Sequence, residues 1–348
     1  MRKNITRIWF NRWFSTGIEF INLIKENDYE KQFEIYVTHH ENRIEFINLA
    51  DYFELEKKIY GREYIDYCIK FCIEHKIDVF FPKYRLKDIS KYRKEFEEIG
   101  VKVLLAASDE IINLVENKGS FYEACREHKI IDIPEYKIIK GLDEFETHYY
   151  KMKENNNCLC FKPVISEGGL DFRVINDNEL IHPNISLSKA KLLMENHYKK
   201  REIMLMEYLD GIEYSIDCLA YKGELLVAIP RKKIGWKRIL ENNSTLIEIA
   251  KRITRVFDFS YVFNIQVIYK NGVPMLLEVN PRMSGGLGTS CLSGVNFPYC
   301  ALELLLEGKT NFPEVKYGVT VDTNEKIQMS ILGMSEKEII PIKDGGHN

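Results

Sequence analysis

Apolar positions at the start of the chain alternate between two periods. RIWFNRWF reads as a strand, GIEFINLIKEN recurs at helical spacing through Ile18, Ile21 and Ile24, and FEIYVTH returns to strand. A long helical stretch around YIDYCIKFCIEHKI follows, then DVFFP, the charged KYRKEFEEIG as a solvated helix face, and VKVLLA. Strand and helix alternate in this way over the first ~107 residues, which predicts a small parallel sheet. Ser108, followed by Asp109 and Glu110, marks a new helix start, and its pattern continues to about Lys129 with Lys118 inside it.

Beyond Pro134 the strand-like EYKIIK leads into the polar KMKENNN, which reads as a loop before CLCFKPV. Strands at FRVI, IMLMEYL, YSIDCLAY and ELLVAIP follow, with one helix at SKAKLLMENHYKK, and YKGE and YKNG look like turns of antiparallel hairpins. In TLIEIAKRITRVFDF the positions Leu246, Ile249, Ala250, Ile253, Val256 and Phe257 trace one helix face. The expected fold is therefore α/β and α+β: a parallel-sheet domain over 1–107, a two-lobed domain over 108–325 with lobes 108–206 and 207–325, and a tail over 326–348.

Composition narrows the function classes. Across 348 residues the formal net charge is −3, so no basic excess points to nucleic acid or an anionic membrane surface. No apolar run reaches the roughly 18 residues that a spanning helix needs. Asn11 and Arg12 interrupt MRKNITRIWFNRWF before a signal core can form. A cytoplasmic protein acting on small molecules is expected. Among the eight cysteines, Cys68 and Cys72 share a helix face and Cys158 and Cys160 alternate in a strand, with no zinc spacing, so buried free thiols in a reducing compartment are expected.

The chemistry concentrates in one hairpin. In VFNIQVIY, Phe263, Ile265 and Val267 face away from Asn264 and Gln266, and in LLEVNP, Glu278 and Asn280 share a face. A two-residue loop at Asn271-Gly272 would put Gln266 and Glu278 on opposite faces. An odd loop, Lys270-Asn271-Gly272, would gather all four polar groups on one. One carboxylate with carboxamide oxygens suits Mg2+, which takes few protein ligands and completes its shell with phosphates and water. Arg282 presents a planar fork to phosphate oxygens, and Ser284-Gly285-Gly286 lets the backbone turn close to a ligand. An edge strand with solvated polar residues is the plain alternative.

Three further segments carry weaker signals. Lys162 ends the strand LCFKP ahead of Ser166-Glu167-Gly168-Gly169, whose amides could cover a phosphate while the lysine supplies a point charge; a plain turn is the alternative. Glu207 lies near the end of IMLMEYL, before the turn Asp210-Gly211 and then Glu213. Backbone groups of Glu207, Tyr208 and Leu209 could read an adenine edge while a carboxylate holds ribose hydroxyls, or the segment is an ordinary hairpin. Arg231-Lys232-Lys233 is placed either near phosphates or an anionic substrate, or in a solvated loop.

In order, a helix lysine, a strand lysine, a glycine loop, a Glu hinge, N-x-Q and E-x-N-P-R make the chain resemble the ATP-grasp superfamily. Within it the likeness is to the branch of carbamoyl phosphate synthetase, biotin carboxylase and related carboxylate-amine ligases, over about residues 1–310. That resemblance implies a pre-ATP-grasp domain followed by two lobes that hold ATP between them. It implies Lys118 and Lys162 on the nucleotide phosphates under a loop from Ser166 through Gly168 and Gly169. The hinge would be Glu207, Tyr208 and Leu209, and Glu213 would hold the ribose. Gln266, Glu278 and Asn280 would hold Mg2+ or Mn2+, and Arg282, Lys162 and Arg231 would be the catalytic cations. The implied activity is ligation of a carboxylate to an amine, amino acids among the candidates, through an acyl phosphate with release of ADP and phosphate. A regulatory or partner subunit that only binds nucleotide, or a phosphotransferase using the same cleft, are the other readings. The SEGGLDF loop has fewer glycines than many relatives, and Gln266 stands where a carboxylate would be a stronger ligand.

Overall fold

Five parallel strands form the first sheet of the computed structural model, which describes residues 5–27, 32–156, 158–166, 171–178 and 181–323. The chain runs β1 (Thr6–Asn11), α1 (Thr16–Glu26), β2 (Phe33–His39), α2 (Ile44–Leu49), β3 (Tyr52–Leu55), α3 (Gly61–His75), β4 (Val79–Pro82), α4 (Leu86–Lys91), α5 (Arg93–Glu98) and β5 (Lys102–Val103). The strand order is β3-β2-β1-β4-β5, with every pairing parallel. Alternation along β1 explains why both faces are covered. Trp9 packs on one side with Tyr64, Phe71 and Phe80, while Ile8 and Phe10 pack on the other with Phe20, Ile21 and Ile24 of α1.

Ser108 caps α6 (Asp109–Glu116), accepting from the Ile111 amide, as its sequence context predicts. The helix does not run on to Lys129. Asn117 accepts from the Ser120 amide and caps a second helix, α7 (Lys118–Glu127), because a short carboxamide competes for the backbone donors that continuation would use. Lys118 is thus the first residue of a helix.

A second, five-stranded sheet follows, built by β6 (Tyr136–Ile139), β7 (Leu159–Pro163), β8 (Arg173–Ile175), β9 (Asn184–Ile185) and β10 (Ile203–Glu207), with α8 (Gly141–Lys153) and α9 (Leu187–Asn196) on it. KMK closes α8 where a loop is expected from the sequence. Phe145, Tyr149 and Met152 recur at helical spacing and are buried, a signal that the surrounding polar residues obscure.

The third sheet has the order β15-β14-β11-β12-β13-β16. Its elements are β11 (Ile212–Tyr221), β12 (Glu224–Ile234), β13 (Lys237–Leu240), α10 (Ser244–Val256), β14 (Tyr261–Lys270), β15 (Val273–Asn280), α11 (Leu287–Cys291), α12 (Phe297–Glu307) and β16 (Thr320–Asp322). Helix α10 lays Leu246, Ile249, Ala250 and Ile253 on this sheet and buries Phe257, as its periodicity predicts, whereas Val256 at its last turn is exposed. The fold is α/β and α+β.

Six of the cysteines are buried and two partly so, all free. Burial pushes the Cys125 and Cys160 thiols up to about 12, so these two are inert as nucleophiles. Among the described residues no helix is long and apolar enough to cross a membrane.

Candidate active site

The second and third sheets enclose a cavity of about 620 Å3. Lys162 and Glu207 of the second sheet line it with Tyr208 and Leu209 that follow β10; from the third come Glu213, Gln266, Glu278 and Asn280, with Arg282 just past β15. These residues are scattered over more than a hundred positions in sequence and converge on one space.

The β14–β15 hairpin reaches this arrangement by a route different from the expected one. Its loop is the two-residue Asn271-Gly272, both at positive φ (52° and 81°), with Lys270 opposite Val273. The odd loop expected from the sequence is therefore absent. Continued without interruption, this register would set Glu278 opposite Ile265 and turn it to the apolar side. A β-bulge intervenes between Gln266 and Val267, and β15 supplies one extra residue, Leu277. Past it, Gln266 opposes Glu278 and Asn264 opposes Asn280, so all four polar groups share a face. The Asn280 amide donates to Glu278 Oε1 at 2.9 Å.

The freed carbonyl of Leu277 is held from the second sheet's side. The buried Tyr122 hydroxyl donates to it at 2.7 Å and Lys162 Nζ at 3.3 Å. Loss of water around the Lys162 ammonium lowers its pKa, and the facing Glu278 carboxylate opposes that shift. Lys162 is therefore a desolvated cation beside the carboxylate, not a solvated strand end.

Arg231 does not line this cavity. Its position on β12 is opposite Ser215, which is opposite Gln266, so it belongs to the same cross-sheet row. Yet it is buried, and its Nη2 donates to Asp217 at 3.1 Å, Ser215 at 3.1 Å and Ser284 at 3.3 Å. Asp217 also accepts from Asn264 at 2.8 Å and Ser290 at 2.6 Å. A Cβ on Gly286 would lie 1.7 Å from Arg231 Nη1, so that glycine admits the guanidinium where the sequence suggested close approach to a ligand. The basic stretch does reach the cavity through Lys233, which pairs with Glu213 at 3.0 Å.

Lys118 sits in a smaller adjoining chamber of about 160 Å3, shared with Ser166, Glu278, Asn280 and Arg282. Its Nζ donates to the Ser166 carbonyl at 2.8 Å, fixing the start of the glycine loop. Gly168 and Gly169 themselves lie outside the described residues, as does the tail from residue 326 onward. At the hinge, the Glu207 amide donates to the Glu135 carbonyl and the Tyr208 amide to the Cys158 carbonyl, both at 3.0 Å. Both of these amides are thus taken by the protein itself. The Glu207 carboxylate accepts from the Glu135 amide at 2.9 Å and pairs with Lys270 of β14, so it ties the two sheets together.

Chemically, the face offers oxygen donors from Gln266, Glu278 and Asn280, a set suited to a hard divalent cation. Lys118, Lys162 and Arg282 flank it with positive charge, suited to a polyphosphate. The sequence reading missed Tyr122 and Lys270. Tyr122 carries a signal that was available: it lies one helical turn after Lys118, on the same side of α7. Lys270 had none, because its partner is 63 positions away.

A family model described as "ATP-grasp in the biosynthetic pathway with Ter operon" matches residues 199–327. The carbamoyl phosphate synthase large chain of Clostridium acetobutylicum is 25% identical over 244 residues, covering 66% of this chain and 22% of that protein. The chain thus spans under a quarter of the curated relative's length. Among solved structures, the biotin carboxylase domain of Hydrogenobacter thermophilus 2-oxoglutarate carboxylase, in complex with MgADP and bicarbonate, superimposes with a TM-score of 0.66 at 14% identity, over 92% of this chain and 74% of that one. The L-amino acid ligase of Bacillus licheniformis does so with a TM-score of 0.65 at 12% identity, over 91% and 79%.

Proposed function

For a chain that belongs to the ATP-grasp superfamily, we propose the activity of an ATP-dependent carboxylate-amine ligase working in the cleft between the second and third sheets. The observation that carries this reading is the shared face of Gln266, Glu278, Asn264 and Asn280, bordered by Arg282 and approached by Lys118 and Lys162. The donor set fits Mg2+: Glu278, Asn280 and Gln266 present oxygens, and Asn264 Oδ1 is buried with no partner beside them. When bound, the metal would neutralise charge on the terminal phosphates.

The residues of the chain do the rest. The Leu209 amide and the cavity wall at Tyr208 receive the adenine, and Glu213 accepts from the ribose. Lys162 and Lys118 bind the phosphates, and the Arg282 fork stabilises charge on the group being transferred. A carboxylate oxygen attacks the γ-phosphorus and ADP leaves, giving an acyl phosphate. An amine then adds to the acyl carbon, the C–O bond breaks with its electron pair going to the departing inorganic phosphate, and that phosphate or water takes the proton the nitrogen loses, giving an amide. No side-chain nucleophile is required.

The test is a screen of carboxylate and amine pairs, amino acids first, for ADP release that depends on both partners. With ¹⁸O in the carboxylate, label in the released phosphate supports the acyl phosphate. AMP and pyrophosphate among the products, or a stable phosphorylated acceptor, would overturn it.

A further inference from the structure

The first sheet contains a topological switch point that the ligase reading does not use. From β1 the chain moves to β2 and β3 on one side, then returns to place β4 and β5 on the other. The crevice between β1 and β4 at their carboxyl ends is where open parallel sheets bind ligands, because the loops there diverge and leave a space. In this protein that space is a cavity of about 540 Å3, bounded by Arg12 and Phe14 after β1, His40 after β2 and Lys83 through Asp88 after β4.

The loop after β4 is held in a fixed shape. Asn11, fully buried, accepts from the Lys83 amide at 2.7 Å and donates to the Tyr84 carbonyl at 3.0 Å. Arg85 then takes a left-handed conformation, φ 58°, which costs free energy for a side chain of this kind. Its Nε is buried and has no partner in the protein. Arg12 lies over the Tyr84 ring at 4.1 Å and is paired with Glu56. Asp88 and Glu116 answer part of the remaining charge, at 3.6 Å from Arg85 and 3.9 Å from Lys87.

Lys83, Leu86 and Glu116 line both this cavity and the small chamber that contains Glu278, Asn280 and Arg282. The switch-point cavity and the chamber at the reacting end of the cleft therefore adjoin, with these three side chains as their common wall.

We propose that the switch-point cavity is a subsite for a non-reacting anionic group, carboxylate or phosphate, of one of the two ligase substrates, with Arg85 as its principal recognition residue. The placement rests on the ligase reading of the neighbouring cleft; the anion site itself does not. The half-buried guanidinium lines the cavity with Nη1 no closer than 3.6 Å to Asp88, and its planar fork suits an oxyanion better than a neutral group. The substrate would span from this anion to a reacting group beside Arg282, so its class is a bifunctional acid or an amine that carries an acidic group.

The full chain is titrated with inorganic phosphate, with succinate and with uncharged succinamide, following the shift in thermal unfolding midpoint. Each titration is run with and without a saturating non-hydrolysable MgATP analogue, which fills the phosphate positions of the cleft. Saturable binding of phosphate or of succinate, but not of succinamide, is expected in both conditions, and the better of the two anions identifies the group. Arg85→Gln should raise the apparent Kd roughly tenfold while leaving the analogue's Kd within about twofold. Should that variant not fold, Lys87→Gln, with its half-exposed side chain, should raise the Kd about threefold. Absence of saturable anion binding, or unchanged affinity in whichever variant folds, overturns the subsite. Failure of the analogue to bind wild-type protein would instead count against the cleft reading and leave the anion titrations interpretable.

Discussion

The Tyr122 hydroxyl donates to the Leu277 carbonyl at 2.7 Å, which joins the helix carrying Lys118 to the bulge that turns Glu278 toward the cavity. Lys162 meets the same carbonyl, so one backbone oxygen sets the positions of a helix, a strand lysine and the carboxylate. Tyr122→Phe removes one of the two donors. Because Lys162 still satisfies the carbonyl, the stability loss in urea unfolding should be only about 1 kcal/mol. Turnover should fall further than that, roughly tenfold or more, because the bulge is less firmly held. Equal, small losses in both would show that the hydroxyl has no positioning role.

Glu278→Ala should leave the fold intact and abolish Mg2+-dependent ATP turnover. Among the described residues of the β14–β15 hairpin, Glu278 is the one anionic donor on the shared face, and Gln266 and Asn280 are weaker ligands without it. Circular dichroism with an ADP-release assay checks this, and near wild-type rates would refute the assignment.

Arg282→Lys keeps the charge and loses the planar fork. A fall in kcat of about a hundredfold with a much smaller change in nucleotide affinity is expected, since the fork acts on charge that develops during transfer. A loss of nucleotide affinity with kcat unchanged would show instead that Arg282 contributes to ground-state binding only.

Lys162 has a folded-state pKa below its ordinary value of 10.5, caused by burial. Between the lowered value and 10.5 the unfolded chain binds more protons than the folded one, so this group's contribution to stability rises with pH through that window and is absent below it. Phosphates placed beside it restore the charge. Binding of ATP in that window should therefore take up protons, seen by calorimetry in buffers of different ionisation enthalpy. Lys162→Met should remove that uptake; its persistence would assign it to another group.

Much of the fold was legible because its periods are clean. The β1, α1, β2, α3, β4 and α10 segments carry uninterrupted patterns, and the sharing of a face by Asn264 with Gln266, and by Glu278 with Asn280, follows from alternation along each strand. Two kinds of information were not legible. Register depends on where a bulge falls, and no residue in LLEVN announces an extra position at Leu277. Burial depends on partners far along the chain, so Arg231, adjacent to two other basic residues, read as a phosphate ligand although Asp217 and Ser284 enclose it. The break at Asn117 was open to inspection, since Asn is a strong helix cap, but the apolar pattern on both sides masked it.

The bulge also subjects the hairpin to a rule of parity. From 266 to 278 is an even step, whereas a regular hairpin with a two-residue turn pairs positions an odd step apart. Deleting Leu277 would restore that odd step and leave the glutamate opposite Gln266, still facing the cavity, in a ladder with no freed carbonyl for Tyr122 and Lys162 to hold. The bulge thus offsets one residue of excess length in β15, and the carbonyl it frees couples the hairpin to the helix and the strand lysine.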